Sequence, residues 1–242
     1  MLDIVLYSHE SYSDCWPAFF GELEKYCSYP FNNKYLLSNE TNSKADNSFK
    51  HIAYNNDDSY TNRLLDCLKQ SDGDKILFTH EDMILCGLVD ELYFQEAIDA
   101  LDNNDFVKLI KGGSPKDTKE DIPYKNSEVL KYCRHTFDYV FSIQPTVWNK
   151  DRLIELLDNN QGQDIWQFET VGQEHCRKAG YRGLYTFHKD DVQRGQFHWD
   201  STVYPYIATA IHKGKWVTSE YPRELGNLFK TYNIDPSIRG EI

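Results

Sequence analysis

Lys75-Ile-Leu-Phe-Thr-His-Glu-Asp82 is a short apolar run that empties directly into a histidine and two carboxylates. Its length, and the Ser71-Asp-Gly-Asp74 break before it, predict a strand entered from a helix. Working outward toward the N-terminus, the same alternation recurs. Ile4-Val-Leu-Tyr7 predicts a first strand, and the polar Ser8-His-Glu-Ser-Tyr-Ser-Asp14 separates it from a helix whose inner face is Trp16, Phe19, Phe20 and Leu23. Pro17 suits the first turn of that helix, where its missing N–H costs nothing. Lys34-Tyr-Leu-Leu37 and His51-Ile-Ala-Tyr54 predict two further strands. A helix marked by Leu64, Leu65 and Leu68 follows, with Asp58 or Ser59 as its cap. Strands alternating with helices predict an α/β chain whose polar strand exits gather at one sheet edge, where ligands of such sheets bind.

Toward the C-terminus the pattern predicts a helix over 88–101, a strand over 106–110, a turn at 112–115 and a charged surface excursion over 116–128. A strand over 137–143 and a helix from about Asn149 carrying Leu153, Ile154, Leu156 and Leu157 come next. Asn159-Asn-Gln-Gly-Gln163 breaks the chain before a helix over 165–176, and 183–187 predicts another strand. The segments 194–199, 204–211 and 216–219 are aromatic and irregular, and helix competes with strand over 208–211.

At 242 residues the chain suits one sizeable domain, 1–242, better than two small ones. An apolar content of 40% with a 14% aromatic share predicts folding throughout. The net charge of −12 argues against a nucleic-acid partner, which is held by counterion release to a basic surface. It also means that a phosphate-bearing ligand needs local help, from a few Lys and Arg or from a cation. The six cysteines show no CxxC pair and read as reduced core thiols. The N-terminus carries an acid and lacks a signal-peptide pattern, and no apolar run approaches the roughly 20 residues of a bilayer span. These features predict a cytoplasmic location, with peripheral membrane association left open.

His80-Glu81-Asp82 carries the chemistry. Carboxylates are hard oxygen ligands for Mg2+ or Mn2+, and a cation so held bridges two phosphates. Adjacent residues of a regular strand face opposite sides, so Asp82 is the expected direct ligand, with Glu81 or His80 toward a ribose or acting through water. A simply solvated strand end, with His80 structural, is the competing reading. Asp164 and Glu169 flank Ile165-Trp-Gln-Phe168 and are the candidate carboxylates for taking a proton from a hydroxyl substrate. Asp164 alternatively caps the helix. Trp148, Trp166, Trp199, Tyr204 and Tyr206 are weighed as sugar-stacking rings, with most aromatics expected in the core. Gln144, at a strand exit before Pro145, is the polar candidate for sugar recognition. His198-Trp-Asp200, His212 and Lys213 are candidates to close over a diphosphate or neutralise it.

The runs Ile76-Leu-Phe-Thr-His-Glu-Asp-Met-Ile-Leu85, Ile143-Gln-Pro-Thr-Val-Trp-Asn-Lys-Asp-Arg-Leu153 and Trp166-Gln-Phe-Glu169 resemble small microbial and viral glycosyltransferases of the GT-A fold. The likeness extends from Tyr7-Ser-His-Glu10 to Lys213-Gly-Lys-Trp216 and Arg239-Gly240. The resemblance implies a single GT-A-like, Rossmann-like domain with a mixed, mostly parallel central sheet flanked by helices. It implies a donor-binding half over about 1–110 and an acceptor-binding half over about 111–242. It further implies metal-assisted transfer of a sugar from a nucleoside-diphosphate sugar to a glycan or other hydroxyl acceptor, as in polysaccharide biosynthesis, with Mn2+ or Mg2+ on Asp82; His80 is the second candidate ligand by its position beside it. Ser8, His9, Glu10 and Arg63 would meet the donor and Glu169 would be the base, with a solvated helix-surface role as the alternative for Arg63 and Glu169; Glu81 and Lys213 join the donor candidates on their own chemistry. His80-Glu81-Asp82 departs from the usual Asp-x-Asp, which puts the ligand count and strict metal dependence in question. A sugar nucleotidyltransferase is the first alternative, although 8–14 lacks the glycine-rich loop with a nearby Lys or Arg that it predicts. A non-catalytic carbohydrate-binding relative is the second.

Overall fold

The computed structural model describes residues 1–113, 121–194 and 198–242. The expected turn at 112–115, the excursion over 116–128 and the irregular 194–199 therefore lie partly outside the described residues. The first strand, β1 (Asp3–Tyr7), is buried along its whole length, as a strand covered on both faces must be. Helix α1 (Trp16–Tyr26), β2 (Lys34–Ser38), β3 (Lys50–Ala53), α2 (Tyr60–Gln70) and β4 (Lys75–His80) follow within a residue or two of expectation. Ser59 caps α2, its hydroxyl accepting from the Asn62 N–H. Pro17 lies in the first turn of α1. The edge strand β3 is the exposed one, with Lys50 and His51 in solvent, which discourages pairing with another chain.

Helix α3 (Glu91–Ala100) starts at an Asp90 cap, and β5 (Phe106–Lys108), β6 (Leu130–Cys133), β7 (Thr146–Asn149), α4 (Lys150–Asp158), α5 (Ile165–Lys178) and β8 (Gly183–Thr186) complete the large sheet and its helices. A short hairpin, β9 (Ile211–His212) and β10 (Lys215–Trp216), precedes α6 (Pro222–Thr231). The eight-stranded order is β3-β2-β1-β4-β7-β5-β8-β6. Strands β3, β2, β1 and β4 run parallel, as do β5 and β8; β7 is antiparallel to both its neighbours, and β6 is antiparallel to β8. The expected mixed sheet is thus present, and β7 threads a strand from residues 146–149 between β4 and β5.

One expectation is overturned, and the open choice between helix and strand over 208–211 is decided. Residues 137–143 form no strand; Tyr139 has a left-handed φ of 58°, and the backbone there bonds to side chains instead of a ladder. The strands lie on either side of it, in β6 and β7. Residues 208–211 form no helix, and α6, rich in charge and carrying its apolar stripe on Leu225 and Leu228, was not anticipated. No helix among the described residues is long and apolar enough to cross a membrane.

Strand β1 has β2 on one side and β4 on the other, so the connections leave in opposite directions and the carboxyl ends open a crevice between them. That edge positions the site.

Candidate active site

A cleft of about 1170 Å3 opens at this edge. Its floor comes from the exits of β1, β3 and β4, and its far wall from α5, the 139–144 segment and the β9–β10 hairpin. Ser8 is fixed beneath it: the Trp16 indole N–H donates to its hydroxyl at 2.7 Å and the Tyr54 hydroxyl to its carbonyl at 2.7 Å. His9 caps the short 3-10 turn Glu10–Tyr12, accepting from the Ser11 N–H, while Nε2 pairs with Asn56 Oδ1 at 3.2 Å. Arg63 lies over the Tyr54 ring, 5.2 Å from its centre, and donates to the Asn56 carbonyl. The Tyr54 ring also stacks on Tyr7 at 5.3 Å. Glu10 does not join the lining, although its N–H donates to Asn39 Oδ1 at 2.9 Å and so ties the first loop to the β2 exit.

Strand β4 ends at His80, so the expected opposition of Glu81 and Asp82 does not hold. They occupy a turn closed by the Met83 N–H on the His80 carbonyl, and both line the cleft. Burial and the neighbouring Asp82 charge push the Glu81 carboxyl well above the usual range, against bonding from Ser8 and the Arg239 charge. Burial pushes Asp82 up to about 6, opposed by the Ile211 backbone and by Arg239. Arg239 is itself anchored, donating to Asp14 Oδ2 at 2.6 Å and to the Ser11 carbonyl at 2.8 Å. His80 is buried among Tyr7, Tyr60 and Phe78; its Nε2 pairs with the Tyr60 hydroxyl at 3.1 Å, and burial lowers its pKa to about 3.

Two adjacent carboxyls whose ionisation is opposed by burial and by each other would give up their protons more readily beside a hard divalent cation, so the pair fits one. No group of three or more His, Cys, Asp or Glu poised for a metal occurs among the described residues, so Glu81 and Asp82 are the side chains that would hold one here.

On the far wall, Glu169 accepts from the Ile143 N–H at 2.9 Å, and burial raises its pKa against that bond and the Lys108 charge. Asp164 lines the cleft mouth and is engaged as a helix cap: its carboxylate accepts from the Gln167 N–H, and the Gln167 side chain accepts from the Asp164 N–H. Trp166 is 62% exposed on the rim, edge-on to His212. Lys213 and Gly214 both have positive φ and make the two-residue turn of the hairpin, which carries His212 and Lys213 to the cleft. Gln144 lines the cleft with its amide committed, accepting from the Tyr206 hydroxyl at 2.7 Å and donating to the Ala208 carbonyl at 3.2 Å.

Trp148 and Trp199 are corrected as sugar-facing rings. Trp148 is 1% exposed on an internal strand, packed against Phe106 and Phe141. Trp199 is buried beside Phe187 under the Lys111 ammonium. Tyr204 and Tyr206 are also buried. Among lining residues that sequence reasoning passed over, Tyr54 stood at a predicted strand exit and was legible there. Tyr139 had no such signal.

No protein-family model and no curated protein sequence matches this chain. Solved structures do. CMP:2-keto-3-deoxy-manno-octonic acid synthetase complexed with CTP superposes with a TM-score of 0.51 at 11% identity, covering 77% of this chain and 89% of that one. TarS 1-349 of S. aureus gives 0.50 at 12% identity, over 96% of this chain and 64% of that one. The bifunctional IspDF from Campylobacter jejuni gives 0.48 at 13% identity, over 78% and 50%. The chain thus spans half of IspDF and under two thirds of TarS 1-349. The likenesses to the synthetase and to TarS 1-349 show the fold: a GT-A-like α/β architecture with a mixed, mostly parallel central sheet.

Proposed function

We propose that this chain is a nucleotide-sugar-dependent glycosyltransferase, with the donor over the exits of β1, β3 and β4 and a hydroxyl acceptor against α5. The observation that carries the reading is the placement, in one open cleft, of a carboxylate pair at the β4 exit and a separate, half-buried carboxylate, Glu169, on the opposite wall. Ser8, His9 and Arg63 bind the nucleotide end, and Lys213 meets the diphosphate. Glu10 contributes through its backbone tie to Asn39.

Asp82, with Glu81 beside it and His80 behind, would hold Mn2+ or Mg2+, which when bound supplies charge balance to the departing diphosphate. The chain's own groups do the rest. Glu169, raised in pKa yet kept as an acceptor by the Ile143 N–H, takes the proton from the acceptor hydroxyl, leaving the oxygen to attack the anomeric carbon from the side opposite the leaving group. That placement predicts inversion. Asp164 supports α5 as its cap rather than serving as the base. On this reading the donor half runs over about 1–110 and the acceptor half over about 111–242, with the hairpin of the second half reaching across to the donor diphosphate.

Incubation with UDP-, GDP-, CDP- and dTDP-sugars plus a panel of saccharide acceptors in Mn2+, and in parallel with nucleoside triphosphates plus sugar phosphates, tests the reading. Sugar transfer with release of nucleoside diphosphate is expected. Pyrophosphate formation from a nucleoside triphosphate and a sugar phosphate would assign the chain to the nucleotidyltransferases instead, and saccharide binding without nucleotide binding would make it a non-catalytic relative.

A further inference from the structure

Tyr139 is one of four residues other than glycine with a positive φ among the described residues, and with Lys213 one of the two that line the cleft. The left-handed region is costly for an L side chain, and a residue persists there only where its surroundings hold it. Both backbone groups of Tyr139 are held by side chains. Its N–H donates to Gln173 Oε1 at 2.7 Å, and its carbonyl accepts from Lys108 Nζ at 2.5 Å. Lys108 is 2% exposed on β5, so a buried ammonium is kept beneath this one turn.

The grip is part of a longer arrangement. Glu169, Gln173 and Arg177 are spaced by four along α5 and share one face. Each takes backbone of the 135–143 segment: Arg177 donates to the His135 and Phe137 carbonyls, Gln173 accepts from Tyr139, and Glu169 accepts from Ile143. The segment is held without a ladder, and the result is a half-buried Tyr139 ring in the cleft beside Glu169, whose charge, after burial, helps raise the Tyr139 phenol's pKa. On the other side of Glu169, one turn toward the start of α5, stands the exposed ring of Trp166. Trp166 and Gln173, which grips Tyr139, are seven positions apart along the helix, a rise of roughly 10 Å.

We infer that Tyr139 is an acceptor-contacting residue, and that the acceptor is a saccharide of two or more rings laid along Tyr139 and Trp166 with its reacting hydroxyl at Glu169. This rests on the proposed sugar transfer. Aromatic rings flanking a carboxylate suit the apolar faces and hydroxyl edges of pyranoses, and a helix rise of roughly 10 Å between Trp166 and the residue that grips Tyr139 is longer than a single small alcohol. Lys108 and Gln173 are positioning residues that act through Tyr139.

The strained backbone supplies the test. Glycine has no steric penalty at φ 58°, so Tyr139→Gly relieves the strain while removing the ring. Binding of di- and trisaccharides of glucose, galactose, mannose and N-acetylglucosamine is followed by saturation-transfer NMR, with UDP and Mn2+ present, in the wild type, Tyr139→Gly, Tyr139→Phe and Trp166→Ala. The expected result is roughly 3- to 10-fold weaker saccharide binding in Tyr139→Gly and in Trp166→Ala, and near-normal binding in Tyr139→Phe. The thermal midpoint of Tyr139→Gly should be unchanged or higher. A loss of stability with saccharide affinity untouched would make Tyr139 a packing residue and overturn the inference. A wild type that binds UDP but no member of the panel would overturn the saccharide assignment and leave the donor reading standing.

Discussion

Replacing Glu169 by Gln separates its chemical role from its place in the wall. Oε1 accepts the Ile143 N–H at 2.9 Å, a bond that a glutamine carbonyl can also accept, so the 139–143 segment should keep its course. The exchange of a charged acceptor for a neutral one loses on the order of 1 kcal/mol, and relief of a carboxylate that burial disfavours offsets part of it. The thermal midpoint should therefore move little. Turnover should not survive: loss of a general base typically costs about 10^2- to 10^4-fold, with donor affinity within about twofold of the wild type. Glu169→Ala is the contrasting variant, because it strands the Ile143 N–H and should lose about 1–3 kcal/mol of stability as well. The assay is initial-rate release of nucleoside diphosphate across pH, with donor binding measured separately. Because the base must be ionised, the wild-type acid limb should lie above the ordinary glutamate range, in the direction of the raised pKa. Turnover of Glu169→Gln within about tenfold of the wild type would refute the assignment.

The Glu81–Asp82 turn predicts a pH effect of definite sign. A carboxyl raised to about 6 on folding holds its proton longer than in the unfolded chain, so its contribution to stability is present at low pH and is lost as pH rises through about 6. The metal-free thermal midpoint should fall across that window, Asp82→Asn should flatten the fall, and Mn2+ should raise the wild-type midpoint above pH 6 but not that of Asp82→Asn. Asp164→Asn should keep both the helix cap and turnover, whereas Asp164→Ala should cost about 1 kcal/mol in stability; a large loss of turnover in the asparagine variant would return Asp164 to the chemistry. A Cβ at Gly183 would stand 2.2 Å from the Phe106 ring, so Gly183→Ala should destabilise the β5–β8 pair by about 1–3 kcal/mol in a denaturant titration.

The first four strands were legible because each is a short apolar run punctuated by turn residues, and local pattern alone decides such elements. The same reading reached the cleft floor, since polar residues directly after buried strands must lie at the sheet's carboxyl edge: Ser8, His9 and the 80–82 triplet all line it. It failed over 137–143, where seven residues of strand-like composition are held instead by Lys108, Gln173 and Glu169, partners between 26 and 34 residues away in sequence for the bonds concerned. It failed for Trp148 as well, because a tryptophan in an apolar run looks the same whether its strand is central or at an edge, and the insertion of β7 between β4 and β5 is a matter of long-range pairing. The sequence by itself determined which segments could be strands and helices and where carboxylates followed them. Only the tertiary structure decided that Glu81, Asp82 and Glu169 share one cleft and that Tyr139 stands beside them, because those neighbours are set by sheet order and by side chains gripping distant backbone, neither of which local periodicity encodes.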